Sequence, residues 1–440
     1  MHQVYKVIFP FVLFIFLFEG VQAQIGYSPY TSKGIGDLTG SGLTHNIGMG
    51  GVGISNGSSL YYNNANPALL YRNSLSIFSI GMAGEYKQIA TTESSQENVI
   101  GGFNYALLGL PLMVDRWTLG LGIMPYSTVN YKYTLDETVI GNPDARVEKS
   151  FTGSGGFNKF FVSNGFKINK NFSIGLTVGY LFGSIKDQVQ NTIYTQRLFE
   201  VPLTDSTSEV RSLEQAGGGA VSTERLTIGN LYLKGGLAYR MLLTKTSALN
   251  LGLTYEVGGE KGAKLYQNIR SNYFDETVDV ANDTVSNSDG NIELPSTFGI
   301  GLSYEKAYKW TAGIDLILRD WSSYRNYEGN SEGFVNNYKI AAGAEFIPDA
   351  TSVDSYLKRM TYRIGLSHQK LPYEINNEKI NEFGINFGVS LPIRNYSSFD
   401  LGFELGQRGT TDQNLIEEKY FKVHLGVTFN DKWFLRRKYD

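Results

Sequence analysis

Two short strings and four histidines are where this chain would carry chemistry if it were a soluble enzyme. Gly48, Gly50 and Gly53 spell GxGxxG, and Gly53, Ser55 and Gly57 spell GxSxG. The first needs a βαβ unit to cradle a dinucleotide; the second needs a strand–turn–helix elbow and a histidine base. Neither context surrounds them. His2, His45, His368 and His424 are scattered, without metal-ligand spacing. Only a Ser–His pair on adjacent strands near His368 would offer hydrolysis. We therefore expect no enzyme, no cofactor and no metal. The spaced groups are charges. Arg319, Lys339, Arg363 and Lys422 fall on the polar face of alternating segments, where a guanidinium can grip a carboxylate in bidentate fashion. Arg319, Lys339 and Arg363 are thus candidates to hold the anionic head of an otherwise apolar ligand. Asp315, Glu345, Glu382, Asp400 and Glu404 share that face, so each cation has the alternative role of neutralising a charge ladder.

The elements that position these charges repeat one rhythm from Ser74 to Asn430. Stretches of ten or more residues are apolar at every second position, and the gaps between them alternate short and long. Such alternation places one face in oil and the other in a polar lumen. In 295–305, Phe298, Ile300, Leu302 and Tyr304 oppose Thr297, Gly299, Gly301 and Ser303. In 420–429, Phe421, Val423, Leu425, Val427 and Phe429 oppose Lys422, His424 and Gly426. The polar face is mostly Gly, Ser, Thr or Asn, which suits a crowded lumen better than the wet face of a soluble sandwich. The reading predicts an all-β transmembrane antiparallel barrel of about fourteen strands over 74–430, an even number as bacterial barrels have. The long connections fall near 134–155, 187–226 and 265–293 and face outside.

Composition agrees. Net charge is −3, so no bulk field argues for nucleic acid, and 29 Tyr suit interfacial girdles. Cysteine is absent. Lys6, the apolar run 7–18 and "VQA" at 21–23 read as a secretory signal peptide, cleaved after Ala23. That implies export, and the barrel implies a Gram-negative-type outer membrane. Past Phe429 the chain runs into a basic segment, 431–440, read as a periplasmic tail.

Residues 24–73 break the rhythm. They are rich in Gly, Ser and Asn, too long for a leader and too poorly charged for a disordered tail, so a plug filling the lumen is expected. Here "GMGGVGISNGSSLYYNNANPALLY" (48–71) resembles the N-terminal hatch of the FadL-type outer-membrane transporters of long-chain fatty acids and aromatic hydrocarbons, whose Asn-Pro-Ala motif is matched by Asn66, Pro67 and Ala68. "GIMPYSTVNY" (122–131), "LPSTFGIGLSY" (294–304) and "RDWSSY" (319–324) resemble three barrel elements of that family in the right order.

The resemblance implies passive uptake of a hydrophobic small molecule, a landing groove between the third and fourth external loops (187–226 and 265–293), and contact with outer-membrane lipid. It also implies that a kink in the third strand opens the wall sideways. Pro125, which cannot donate to a ladder, sits in that strand with Tyr126 and marks the candidate lateral gate. A FadL-like barrel also serves as a subunit of type nine secretion assemblies, so the alternative is a membrane scaffold with a protein partner in a secretion complex.

Overall fold

The computed structural model describes residues 28–40, 42–139, 142–202, 208–272 and 279–432. The segment read as a signal peptide and the tail beyond Lys432 lie outside the described residues. A two-residue strand, β1 (Asp37–Leu38), belongs to the hatch. The wall follows as β2 (Ser76–Ala90), β3 (Ser95–Met113), β4 (Trp117–Val139), β5 (Asn142–Lys167), β6 (Phe172–Pro202), β7 (Ser208–Leu242), β8 (Ser247–Glu256), β9 (Gly259–Asn272) and β10 (Asp279–Leu294). It continues through β11 (Thr297–Lys306), β12 (Trp310–Arg319), β13 (Asn337–Phe346), β14 (Thr361–Ile375), β15 (Glu378–Pro392), β16 (Ser398–Arg408) and β17 (Glu417–Asp431). β9 and β10 carry β8 and β11 outward past short breaks at 257–258 and 295–296. Each of these pairs is therefore one wall strand, and the barrel has fourteen. It closes where β17 pairs with β2, from Glu417↔Ala90 to Asp431↔Ser76. Phe78, Ile80, Met82, Phe298, Ile300, Leu302, Phe383, Ile385 and Phe387 stand exposed on the outer surface, as a lipid-facing band requires.

The long connections are a correction. Residues 134–155, 187–226 and 265–293 are mostly continuations of strands rather than loops. β6 and β7 run 31 and 35 residues and pair from Phe172↔Tyr239 to Pro202↔Ser208. About ten residues suffice to span a bilayer, so most of this ribbon stands clear of the apolar band. There both faces meet water, and the alternation that betrays a strand in lipid disappears.

The wall is bare where the hatch touches it. A Cβ at Gly343 or Gly365 would collide with Met49 and Gly50; at Gly252, with Ile54; at Gly236 and Gly175, with Asn66, Pro67 and Ala68. The small inward residues are thus the mould of one particular insert. Deleting residues 24–68 should raise single-channel conductance in planar bilayers; unchanged conductance would show that the hatch does not obstruct the lumen.

Candidate functional site

The hatch is built around its Asn-Pro-Ala turn. Asn66 is wholly buried and caps the 3-10 helix Pro67–Arg72: its side-chain oxygen accepts from Ala68 N at 3.0 Å, and Pro67 takes the first helical position. The Asn66 amide nitrogen donates to the carbonyls of Ile54 (2.8 Å) and Leu237 (3.0 Å), joining the turn to the rest of the hatch and to the wall. Asp315, inward on β12, accepts from the backbone N–H groups of Gly53 (2.7 Å) and Ile54 (2.9 Å). The two glycine-rich strings are therefore packing and anchoring devices. At the lower end Arg72 forks onto Glu305 at 2.9 and 3.1 Å, and Arg240 shares that carboxylate.

The wall has a seam. β3 pairs with β4 only between Ala106↔Ile123 and Met113↔Trp117. Outward of that, β3 from Ser95 to Tyr105 is paired with β2 alone, while β4 keeps its pairing with β5. Pro125 stands two residues past the last β3–β4 pair, and Tyr126 is bulged out of the β4–β5 register between Pro125↔Asn158 and Ser127↔Phe157. The bend is carried into β5 and β6 by Gly155, Gly156 and Gly183, whose φ values of 104°, 145° and 139° no bulky residue adopts readily. At a rise of about 2.5 Å per tilted residue, the seam opens about 20 Å above the turn at 114–116, in the outer part of the apolar band.

The hatch closes the inner side of this seam on β4. β1 pairs with β4 at Asp37↔Thr128 and Leu38↔Ser127. Thr39 N donates to Tyr126 O (2.9 Å), Ser28 N donates to Asn130 O (2.8 Å), and Asn130 N donates to the Thr31 hydroxyl (3.0 Å). Arg408 fixes the same segment, donating to Asp37 at 2.8 Å and to Glu382 at 3.1 Å.

Behind the seam lies a cavity of about 560 Å³. Its lining includes Gly102 and Phe103 of β3, and Phe103, opposite the outward Met82, is 46% exposed, so the cavity abuts the wall at the seam. Lys87, Arg319, Lys339 and Lys422 face it, with Glu85, Glu382 and Glu404. Most of these charges are matched: Lys87 with Glu85 and Glu418 at 3.2 Å, and Lys422 with Glu404 at 3.8 Å. Arg319 and Lys339, on neighbouring strands, have no ion pair among the described residues. They also border a smaller cavity of about 90 Å³ beside Tyr126, Lys159 and Glu256. Arg363 is not brought to this place. It is buried against Glu345 (3.1 Å), Ser390 and the Tyr61 ring, underneath the hatch.

The roof is aromatic. Trp321, Tyr324 and Phe334 pack with ring centroids 5.1 to 5.6 Å apart. Tyr373 joins them and stacks on Tyr30 of the hatch. These rings belong to one buried cluster with Ile35, Phe157, Leu181, Ile185, Ile292 and Leu415, contributed from around the mouth. Burial, with Glu332 nearby, lifts the Tyr324 hydroxyl above its ordinary pKa, so it stays a neutral ring at any external pH a cell meets. Sequence reading flagged Trp321 within a motif but missed this roof, because three of its rings lie in the irregular connection between β12 and β13 and meet the others, on β14 and in the hatch, only in three dimensions. His45 stacks on Tyr61 at 4.4 Å, and the contact of His368 is the Tyr338 hydroxyl at 3.5 Å rather than a serine.

A fourteen-stranded barrel with a lumen hatch and a seam in its third wall strand has a FadL-type architecture. Solved structures share it. The toluene transporter TbuX of Ralstonia pickettii matches with a TM-score of 0.56 at 13% identity, covering 89% of this chain and 99% of that one. A FadL homologue of Pseudomonas aeruginosa gives 0.55 at 12% identity over 89% and 99% of the two chains, and the toluene transporter TodX of P. putida gives 0.54 at 16% over 91% and 100%. No curated protein matches the sequence. The family model described as BamG matches residues 4–440, and the chain belongs to the BamG family.

The Asp315 anchor makes a direct prediction. Asp315→Ala leaves two buried N–H groups without an acceptor, a loss of about 1–3 kcal/mol. Hydrogen-exchange protection at Gly53 and Ile54 should fall about tenfold or more, with the barrel still heat-modifiable on gels. Unchanged protection would mean that the carboxylate does not hold the hatch.

Proposed function

We propose that this chain lets hydrophobic molecules, long-chain fatty acids or aromatic hydrocarbons, cross the outer membrane passively, moving sideways through the β3–β4 seam at Pro125 and Tyr126. The observation that carries the reading is a lumen cavity lined by β3 and β4 at the place where the ladder between them is broken. Arg319 and Lys339 take the head of an amphiphilic ligand, while Arg363 serves the hatch. The role is transport rather than catalysis, and the chain reaches its membrane by a cleaved signal peptide.

A second reading, a scaffold subunit of a secretion assembly, is favoured by the external ribbon. Transport does not require strands of 31 and 35 residues, whereas such a wall offers a protein partner a broad polar face.

Two variants separate the readings. Pro125→Ala should lower the uptake of labelled fatty acid severalfold without loss of folded barrel; unchanged uptake would sink the lateral route. Shortening the β6–β7 ribbon by removing 190–220 should leave uptake intact. If that deletion instead dissolves a large native complex while uptake never depended on this chain, the scaffold reading stands.

A further inference from the structure

Building on the transport reading, we infer that the cavity is a head-group site loaded from the outer leaflet of the membrane, and that its ligand is an anionic amphiphile with a hydroxyl-bearing head. The seam is then the way in. The roof of packed rings closes the cavity toward the external medium, with Trp321, Phe334 and Tyr373 as its underside. The hatch closes it below with Thr39, Gly42 and Ile47. On the side bounded by β3 and β4 the lining includes Phe103, whose cross-strand partner Met82 stands on the outer surface.

The rim and the interior differ in chemistry. Ile100, Phe103 and Pro125 make an apolar rim, suited to a tail that stays in lipid. Inside, Arg319 and Lys339 make no direct ion pair among the described residues; Glu256 acts on the first and Glu404 and Glu382 on the second only at longer range, so a ligand anion would be the first direct partner of either cation. A bare hydrocarbon would give neither a direct partner. Glu382 and Glu404, acceptors toward the Tyr420 hydroxyl at 2.6 and 3.1 Å, offer further oxygens to ligand hydroxyls. A space of about 560 Å³ corresponds to about 19 waters at their liquid volume, far more than a single carboxylate fills.

The test uses the folded chain in nanodiscs that contain phosphatidylglycerol with a photoactivatable group on its head, beside matched phosphatidylcholine. Phosphatidylglycerol should label cavity peptides. The double variant Arg319→Gln, Lys339→Gln should lower the yield about tenfold. Gly102→Trp should do the same by filling the seam, since a Cβ at Gly102 meets no atom within 4 Å and the fold tolerates it; heat-modifiability on gels checks that each variant is folded. Equal labelling by phosphatidylcholine, or labelling indifferent to both variants, overturns the inference. Loss of labelling to inorganic phosphate alone overturns it too, by making the cavity a free-anion pocket. Labelling involves no transport step. Absent label with intact fatty-acid uptake removes only the head-group site, and label without uptake removes only transport.

Discussion

The constraint on which the rest depends is an open strand edge inside a bilayer. Backbone groups in hydrocarbon cannot find water, and each unsatisfied one costs several kcal/mol. Where β3 and β4 part beyond Ala106 and Ile123, β4 would present such an edge. The hatch supplies the missing partner through β1 and the hydrogen bonds of Ser28, Thr31 and Thr39. Barrel and hatch are therefore one structure. The wall can be broken because a piece of the N-terminal segment lies against the break, and that segment is ordered because the break gives it a ladder.

This dependence organises the lumen. A segment that must reach the upper seam has to be held along its length, and the inward face supplies three anchors at different heights: Glu305 under Arg72, Asp315 under Gly53 and Ile54, and Arg408 over Asp37. Between them the wall is reduced to glycine, so the hatch backbone approaches it directly. What remains empty is the pocket behind the seam, bounded by charges most of which already serve one another. Arg319 and Lys339 face it without a direct ion pair among the described residues.

Much of this was legible in the sequence, and the failures have physical reasons. Alternation located every wall strand, because lipid enforces it. It could not follow β6 and β7 into water, where nothing requires one face of "SEVRSLEQAGGGAVSTER" to be apolar. Parity placed Arg319, Lys339 and Arg363 on the inner face. It could not tell the two unpaired cations from Arg363, because pairing depends on which strand lies beside which and on where the hatch rests. Pro125 drew notice as a ladder breaker, yet the end of the β3–β4 pairing was invisible, since β3 keeps a strand pattern through its unpaired half. The Asn-Pro-Ala turn was readable as a motif; its work as a helix cap tied to Ile54 and Leu237 appears only in three dimensions.

The central claim is that the cavity communicates with the lipid and not with the medium above the roof. The chain has no cysteine, so Gly102→Cys provides a single thiol inside the seam. The decisive measurement is its rate of modification in intact outer membranes by a lipid-soluble maleimide and by a bulky water-soluble one added outside. The account predicts fast reaction with the first and protection from the second. Equally rapid labelling by the external reagent, or no labelling by the lipid-soluble one, would contradict it.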